Sequence, residues 1–172
     1  MRKVILYIAV TLDGYIAEED GGVRFLDDYG NHHLANQHIG NFLSRVDTDI
    51  MGRKTYDWIM ENASDLKLER ETYVVSKTLK SNDSIHVISS NLASFIHELK
   101  QKKGKDIWLV GGGELIYSFI EHDLIDEYQI AVIPKLLGNG RKLFLSHHMK
   151  QTLKLTRIDH LDDIVILTYL RV

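Results

Sequence analysis

Residues 107–117 decide the fold, and they read Ile107-Trp108-Leu109-Val110-Gly111-Gly112-Gly113-Glu114-Leu115-Ile116-Tyr117. A run of strand-forming residues leads directly into three glycines and then into an apolar segment with helical spacing. Such a junction presents free backbone N–H groups at a helix N-terminus, where the helix dipole favours negative charge. We therefore predict that a pyrophosphate binds here, and the alternative is a tight turn without a ligand.

A second junction of the same kind follows a short predicted strand at residues 46–51. The helix dipole disfavours cations at a helix N-terminus, so cations placed there indicate that an anion binds, unless they simply point into solvent. A third strand, at residues 71–75, ends next to a serine and a lysine. The residues in question are Gly52, Arg53, Lys54 and Thr55 at the second junction, and Ser76 and Lys77 at the third.

Parallel strands place their carboxyl ends on one edge of a sheet, so these three junctions predict a single anion-binding edge. Two helix N-termini can hold a pyrophosphate from opposite sides. Ser76, Lys77 and one of Arg53 or Lys54 can then hold the 2′-phosphate of an adenosine ribose. With several cations and no acid at the ribose position, NADPH is preferred over NADH as the ligand.

The hydrophobic pattern alternates strands and helices and then ends in a hairpin. Strands are predicted at residues 4–10, 46–51, 71–75, 84–88, 107–110, 126–133, 152–160 and 164–172, and helices at 32–45, at 91–103 and after each glycine junction. Residues 11–22 are expected to form a long surface loop. The pattern predicts one α/β domain over residues 1–172, with a mostly parallel sheet and antiparallel strands at its end.

Composition excludes several classes of protein. The chain has 172 residues, 44% of them apolar, which is enough for one sizeable core. A net charge of −3 argues against a general nucleic-acid binder. No apolar run approaches the roughly 20 residues that span a bilayer, so no membrane association is expected. The absence of cysteine fits a cytoplasmic protein, and the nine histidines lack the spacing of a metal site.

Four motifs resemble one superfamily. Residues 51–56 and 110–117 are similar to the two cofactor motifs of dihydrofolate reductases. Residues 11–17 and 124–144 look more like the reductase domain of bacterial bifunctional riboflavin-biosynthesis enzymes. Because the motifs occur in the same order from about Val4 to Val172, the chain resembles a stand-alone reductase of this superfamily.

The resemblance implies a three-layer α/β/α sandwich with a central mixed sheet, and NADPH as hydride donor. It implies a small heterocyclic substrate, either a pteridine or an aminopyrimidine of the 5-amino-6-(5-phosphoribosylamino)uracil type. It also implies that two residues, Ala9 and Ile16, flank the nicotinamide. The implied contacts to the phosphates and the ribose are Gly52, Arg53, Lys54, Thr55, Ser76, Lys77, Gly111, Gly112, Gly113, Glu114 and Leu115.

Hydride transfer also needs a proton, and the candidate donors are Asp13, Asp27, Asp28 and Glu114. The alternative role of Asp13 is to hydrogen-bond its own backbone in the Asp-Gly turn. The alternative role of Glu114 is to stabilise the N-terminus of its helix as an acid in the first turn. In a true dihydrofolate reductase, which is one alternative, Asp27 or Asp28 would anchor the pterin. The other alternative is a non-catalytic NADP(H)-binding module. Since residues 164–169 are apolar, a homodimer through this strand is expected.

Overall fold

The computed structural model describes residues 1–63, 68–146 and 148–172 of the chain. Most strands of this part form one eight-stranded sheet in the order β5-β4-β3-β6-β1-β7-β10-β9, and the other two, β2 and β8, pair with each other. The strands are β1 (Val4–Thr11), β2 (Tyr15–Ala17), β3 (Val46–Gly52), β4 (Glu71–Val75), β5 (His86–Ile88), β6 (Asp106–Gly111), β7 (Glu127–Ile133), β8 (Arg141–Lys142), β9 (Leu153–Leu161) and β10 (Ile164–Arg171). The helices are α1 (His33–Leu43), α2 (Arg53–Asn62), α3 (Leu92–Gln101) and α4 (Gly113–Glu121), with a 3-10 helix at Arg24–Tyr29.

The central sheet is mixed and mostly parallel. Strand β1 runs parallel to β6 on one side and to β7 on the other, and β3 runs parallel to β4 and β6. Strand β10 is antiparallel to both β7 and β9, so the hairpin closes one end of the sheet. This topology confirms the predicted α/β fold with its C-terminal antiparallel hairpin.

The helices cover both faces of the sheet because alternate residues of each strand point to opposite faces. On one face Leu6 packs in the cluster that contains Ile96 of α3 and Phe119 of α4. On the other face Ile5 packs with Phe42 of α1. These apolar residues are at most 2% exposed, and burial stabilises the fold by about 1.5–3 kcal/mol for each such side chain. The result is the three-layer sandwich that the resemblance implies.

A buried ion pair connects α3 to the amino end of the sheet. Lys100 is 7% exposed, and its Nζ lies 2.7 Å from Oδ2 of Asp126. The same carboxylate accepts the backbone N–H of Val4 at 2.8 Å. Asp126 therefore holds the start of β1 and the end of α3 together, and it depends on Lys100 for charge compensation.

Residues 11–22 are not only a loop, as the sequence predicts. Tyr15–Ala17 forms β2, which pairs with β8 in a two-stranded antiparallel ribbon. The partners are more than 120 residues apart in sequence, and β8 has only two residues, Arg141 and Lys142. A local hydrophobic pattern cannot indicate such a pairing, because neither segment is long enough to show a period.

Candidate functional site

The three junctions found in the sequence lie side by side in the fold. Strands β4, β3 and β6 are neighbours in the sheet and run parallel, so their carboxyl ends share one edge. This edge carries the segment after Gly52, the pair Ser76 and Lys77, and the three glycines at 111–113. We call it the glycine edge. It brings together the residues that the sequence predicts to bind phosphate groups.

Two helices begin at the glycine edge. Helix α2 starts at Arg53 with Gly52 as its N-cap, and α4 starts at Gly113 with Gly112 as its N-cap. Neither N-cap makes a side-chain capping hydrogen bond, because glycine has no side chain to supply one. The first amides of both helices are therefore available to an anion, which the helix dipoles also favour.

These two helix N-termini are close enough to act on one ligand. A Cβ placed on Gly52 would lie 3.7 Å from the carbonyl oxygen of Gly111 and 3.8 Å from the nitrogen of Gly112. A Cβ on Gly112 would lie 3.3 Å from Oγ1 of Thr55. Because the backbones approach each other so closely, amides from both helices can contact the two phosphates of one pyrophosphate.

The backbone at the glycines excludes other residues. Gly111 has φ +119, a conformation that residues with a side chain rarely adopt, and the peptide bond between Gly111 and Gly112 is cis. A Cβ on Gly113 would lie 3.0 Å from the carbonyl oxygen of Lys142 in β8. The β2–β8 ribbon thus packs against the start of α4 and leaves room there only for glycine.

Two cations of the glycine edge, Lys54 and Arg53, are paired with carboxylates. Nζ of Lys54 lies 2.9 Å from Oε1 of Glu114, which joins the first turns of α2 and α4, and these side chains are 70% and 79% exposed. Nε of Arg53 contacts the carboxylate of Asp57 at 2.7 Å within α2. Exposed ion pairs contribute only about 0–1 kcal/mol, so a phosphate can displace these carboxylates from the cations.

Ser76, Lys77 and Leu115 differ in how accessible they are. Ser76 is 8% exposed, and its hydroxyl oxygen accepts the backbone N–H groups of Thr78 and Leu79 at 3.3 and 3.1 Å. Lys77 is exposed. The side chain of Leu115 packs in the core, and its N–H donates to the carbonyl of Gly112 at 3.0 Å. Of these three residues, Lys77 is therefore the one whose side chain is freely placed to reach an incoming anion.

A crevice opens between β1 and β6 next to the glycines. The two strands pair only as far as Leu6 and Leu109, after which β1 continues beside β7 and β6 beside β3. Ala9 in β1 and Ile16 in β2 are half-buried in this region, and Cδ1 of Ile16 lies 4.0 Å from the Cβ position of Gly113. A crevice at diverging strand ends is where open α/β sheets bind their ligands.

The four candidate proton donors all lie at the surface. The carboxylate of Asp13 accepts hydrogen bonds from the Thr11 hydroxyl at 2.6 Å and from the N–H groups of Gly138 and Leu137 at 2.7 and 3.1 Å. These hydrogen bonds lower the pKa of Asp13, and the bond from the Thr11 hydroxyl has the largest effect. Asp13 thus has the predicted turn role and also attaches the loop after β1 to the turn at residues 134–140.

The other three carboxylates occupy two different places. Asp27 and Asp28 belong to the 3-10 helix, and Asp28 pairs with Lys135 in the turn at residues 134–140. That hydrogen bond raises the pKa of Lys135. Glu114 lies instead at the start of α4, paired with Lys54. The structure therefore brings Asp13 and Asp28 to one turn and keeps Glu114 at the glycine edge.

A polar cluster at the opposite end of β4 from Ser76 was not expected from the sequence. Nε of Arg70 donates to Oδ1 of Asp49 at 2.8 Å, and its guanidinium lies 5.6 Å from the centre of the Trp108 ring. Burial raises the pKa of Asp49, and Arg70 opposes that shift. Trp108 is half-buried. The one signal was an aspartate within the strand predicted at residues 46–51, and nothing local indicated Arg70 as its partner.

Two further features concern the described part of the chain, namely metal sites and membrane-spanning helices. Among the described residues, no three His, Asp or Glu side chains are grouped to hold a metal ion. One of the nine histidines, His147, lies outside the described residues. In the same described ranges, no helix has both the length and the apolar character needed to cross a membrane.

The fold and the glycine edge define the class of this protein as an α/β protein of the dihydrofolate reductase-like type. The chain belongs to the RibD C-terminal domain family, whose model matches residues 2–167. It is 40% identical to the uncharacterized protein YwjB of Bacillus subtilis (strain 168) over 161 residues, which cover 91% of each chain. It is 30% identical to a Shewanella sp. PV-4 protein assigned by name to riboflavin biosynthesis, with a TM-score of 0.87 and 99% of both chains covered.

More distant structures share the fold. A Thermotoga maritima diaminohydroxyphosphoribosylaminopyrimidine deaminase/5-amino-6-(5-phosphoribosylamino)uracil reductase is 15% identical, with a TM-score of 0.70 over 99% of this chain and 57% of that one. The dihydrofolate reductase of Enterococcus faecalis, solved with NADP(H), is 16% identical, with a TM-score of 0.66 over 98% and 96% of the two chains. At these identities the two structures show that this chain shares their fold.

Proposed function

We propose that this protein is an NADPH-dependent reductase that transfers a hydride to a small heterocycle, a pteridine or an aminopyrimidine. The observation that carries the proposal is the pair of glycine-capped helix N-termini, α2 and α4, which face each other at one sheet edge. Membership of the RibD C-terminal domain family supports it, because a reductase named for an aminopyrimidine substrate shares this fold.

The residues of the glycine edge fit NADPH. The amides at the starts of α2 and α4 would hold the pyrophosphate, since neither helix has a capping side chain in the way. Arg53 and Lys77 would hold the adenosine 2′-phosphate, and Ala9 and Ile16 would cover the nicotinamide from water. When bound, NADPH supplies the hydride.

The proton donor stays open among Asp13, Asp27, Asp28 and Glu114. A proton donor works best when its pKa lies near the working pH. The hydrogen bonds that lower the pKa of Asp13 favour its ionised form, which argues against Asp13 as the donor. Its contacts to Leu137 and Gly138 instead suit it to shaping the substrate side of the crevice.

The test combines thermal unfolding with a turnover assay. NADPH is expected to raise the melting temperature, because a ligand that binds only the folded state stabilises it by RT ln(1 + [L]/Kd). We expect NADPH absorbance to fall when a pterin or an aminopyrimidine is added. A raised melting temperature without turnover would indicate a non-catalytic NADP(H)-binding module, and turnover of dihydrofolate would indicate a true dihydrofolate reductase. No shift with NADPH, NADP or NADH would contradict cofactor binding altogether.

The assignment of the 2′-phosphate contacts has its own test. Arg53→Ala and Lys77→Ala are each expected to raise the Kd for NADPH roughly 10-fold, because a hydrogen bond to a charged group contributes about 1.5–3 kcal/mol. The Kd for NADH should change little, since NADH lacks this phosphate. Lys102→Ala is the matched control, because Lys102 is an exposed lysine after α3. Equal losses for both cofactors, measured by fluorescence titration, would remove the assignment.

A homodimer also remains a proposal, but the structure changes where it would form. Strand β10, the strand named from the sequence, is paired on both edges, by β7 and by β9. The outer edge of the sheet is β9, where Ile158 and Leu155 are 58% and 44% exposed. We therefore place the proposed contact on β9. Sedimentation at micromolar concentration that showed only a 19.8 kDa species would count against it.

A further inference from the structure

A cavity of about 430 Å³ lies at the opposite edge of the sheet from the glycines. Glu127 begins β7 and Lys3 precedes β1, so this cavity adjoins the amino ends of β1 and β7. The crevice lies at the other end of β1. The eight residues of β1 separate the two places by roughly 25 Å. The volume lies within the range of small-molecule sites. We call it the distal cavity, and its lining includes residues of α1, β7, β9 and β10.

The lining of the distal cavity is polar, although the contact between a helix and a sheet is normally apolar. Gln129 and Glu127 of β7 are each 5% exposed, and Thr168 of β10, which pairs with Gln129 across the strands, is 9% exposed. Burial of polar side chains costs free energy unless they are hydrogen-bonded. Nε2 of Gln129 donates to Oε1 of Glu127 at 2.6 Å, so a polar ligand in the cavity would contact the amide oxygen of Gln129 instead.

The charges of the cavity are arranged by depth. The acids are buried and the cations reach solvent, as the exposed fractions of their side chains show. Those fractions are 7% for Glu127 and 19% for Asp159, against 42% for Arg45, 50% for Lys3 and 64% for Arg157. An incoming molecule therefore meets positive charge first, although the whole chain carries a net charge of −3.

The buried acids hold the two guanidinium groups in place. Nη2 of Arg45 lies 3.2 Å from Oε1 of Glu127, and Nη2 of Arg157 lies 2.6 Å from Oδ1 of Asp159. Both arginines keep further N–H groups in the fork geometry that matches carboxylates. Because the two groups come from different elements, the loop before β3 and strand β9, they suit an anion with two separated charges.

A histidine completes the lining. Nδ1 of His38 lies 3.2 Å from the hydroxyl of Tyr7, and Nε2 lies 3.5 Å from Oδ2 of Asp159. Burial, and then the charge of Asp159, raise the pKa of Tyr7 to about 12, so Tyr7 keeps its proton and can donate it to Nδ1. Oδ2 of Asp159 is buried without a hydrogen-bond partner. With Tyr7 donating to Nδ1, the His38 ring carries its hydrogen on Nε2, which faces this oxygen as a donor.

We propose that the distal cavity is a second small-molecule site, which binds an organic anion with at least two carboxylates on a short hydroxylated skeleton. Arg45 and Arg157 take the carboxylates, and Gln129 and Thr168 hydrogen-bond the hydroxyl group. Phe42 and Leu170, which also line the cavity, contact the carbon skeleton. The site does not depend on NADPH, so it stands or falls separately from the reductase proposal.

The experiment is a citrate titration of the ¹⁵N-labelled protein followed by NMR at constant ionic strength, with acetate and inorganic phosphate as parallel titrations. Citrate is expected to give saturable shifts at Gln129 and Thr168 and none at Gly52 or Gly111. Acetate, with one carboxylate, and phosphate, with no carbon skeleton, should bind at least 10-fold more weakly. Comparable binding of either would reduce the site to a general anion contact and overturn the proposal.

Two variants locate the binding. Arg157→Gln and Arg45→Lys, the second of which keeps the charge and loses the fork, should each weaken citrate at least 10-fold. Lys154→Gln removes one positive charge from an exposed position on the same strand as Arg157 and should change the affinity less than twofold. The same spectra report whether each variant is folded. An equal loss in Lys154→Gln, or no saturable shift in the parent protein, would overturn the proposal.

Discussion

Gly111→Ala is expected to weaken NADPH binding roughly 100-fold and to lower the free energy of unfolding by about 1–3 kcal/mol. Gly111 has φ +119, which a residue with a Cβ adopts only under strain. Relief of that strain would turn the backbone and move the amides at the start of α4 out of line with the phosphates. Loss of one or two hydrogen bonds to a charged phosphate, at about 1.5–3 kcal/mol each, accounts for the loss of affinity. Isothermal titration with NADPH and urea unfolding measure the two effects.

Gly40→Ala is the control for the glycine substitution. Gly40 lies inside α1, and a Cβ placed on it would meet open space. Alanine is a better helix former than glycine, so this variant should gain about 0.5–1 kcal/mol of stability and keep its NADPH affinity. If Gly111→Ala bound NADPH as tightly as Gly40→Ala, the glycine edge would not be the pyrophosphate site.

Lys100→Met is expected to lower the free energy of unfolding by about 3–5 kcal/mol, a large part of the stability of a domain of this size. Lys100 is 7% exposed and compensates Asp126, whose carboxylate also accepts the N–H of Val4. Methionine fills similar space but leaves the carboxylate buried without its main partner, and Arg171 is 4.0 Å away. Urea unfolding monitored by circular dichroism measures the loss.

Lys102→Met provides the comparison for this charge. Lys102 is exposed at the end of the same helix, so its replacement should change stability by less than about 0.5 kcal/mol. Lys100→Met should leave NADPH affinity unchanged below its melting temperature, because the pair lies at the amino end of β1, away from the glycine edge. A loss below 1 kcal/mol would mean that solvent compensates Asp126 once Lys100 is gone.

Most strands of the central sheet were predicted from the sequence with nearly their observed bounds. Residues 71–75 were predicted as a strand, and β4 is Glu71–Val75. Residues 4–10 were predicted as a strand, and in β1 (Val4–Thr11) Val4, Ile5 and Leu6 are each 0% exposed. These predictions held because a strand covered on both faces needs a continuous apolar run, which is a local property of the chain. The glycine junctions were visible for the same reason, since turn conformations are decided by a few adjacent residues.

Contacts between residues that are far apart in the chain could not be predicted in this way. Residues 164–169 were expected to contact a second subunit, and the strand they form, β10, is paired on both edges with β7 and β9. Arg70 pairs with Asp49. His38 lies between Tyr7 and Asp159, and Asp159 is more than 120 residues from His38 in the chain. Each of these residues has an ordinary local context, and nothing in a hydrophobic period identifies a polar partner in a distant strand.

The sequence by itself determined that this chain forms a mostly parallel sheet whose strands end in glycines and cations, because strand preference and turn chemistry act over a few residues. Only the tertiary structure decided that the two glycine-capped helices face each other, that Arg53 and Lys54 already have acidic neighbours, and that polar residues of β7, β9 and β10 enclose a second cavity. The reason is physical: which side chains share a site follows from strand order and helix packing, which are set by burial over the whole chain.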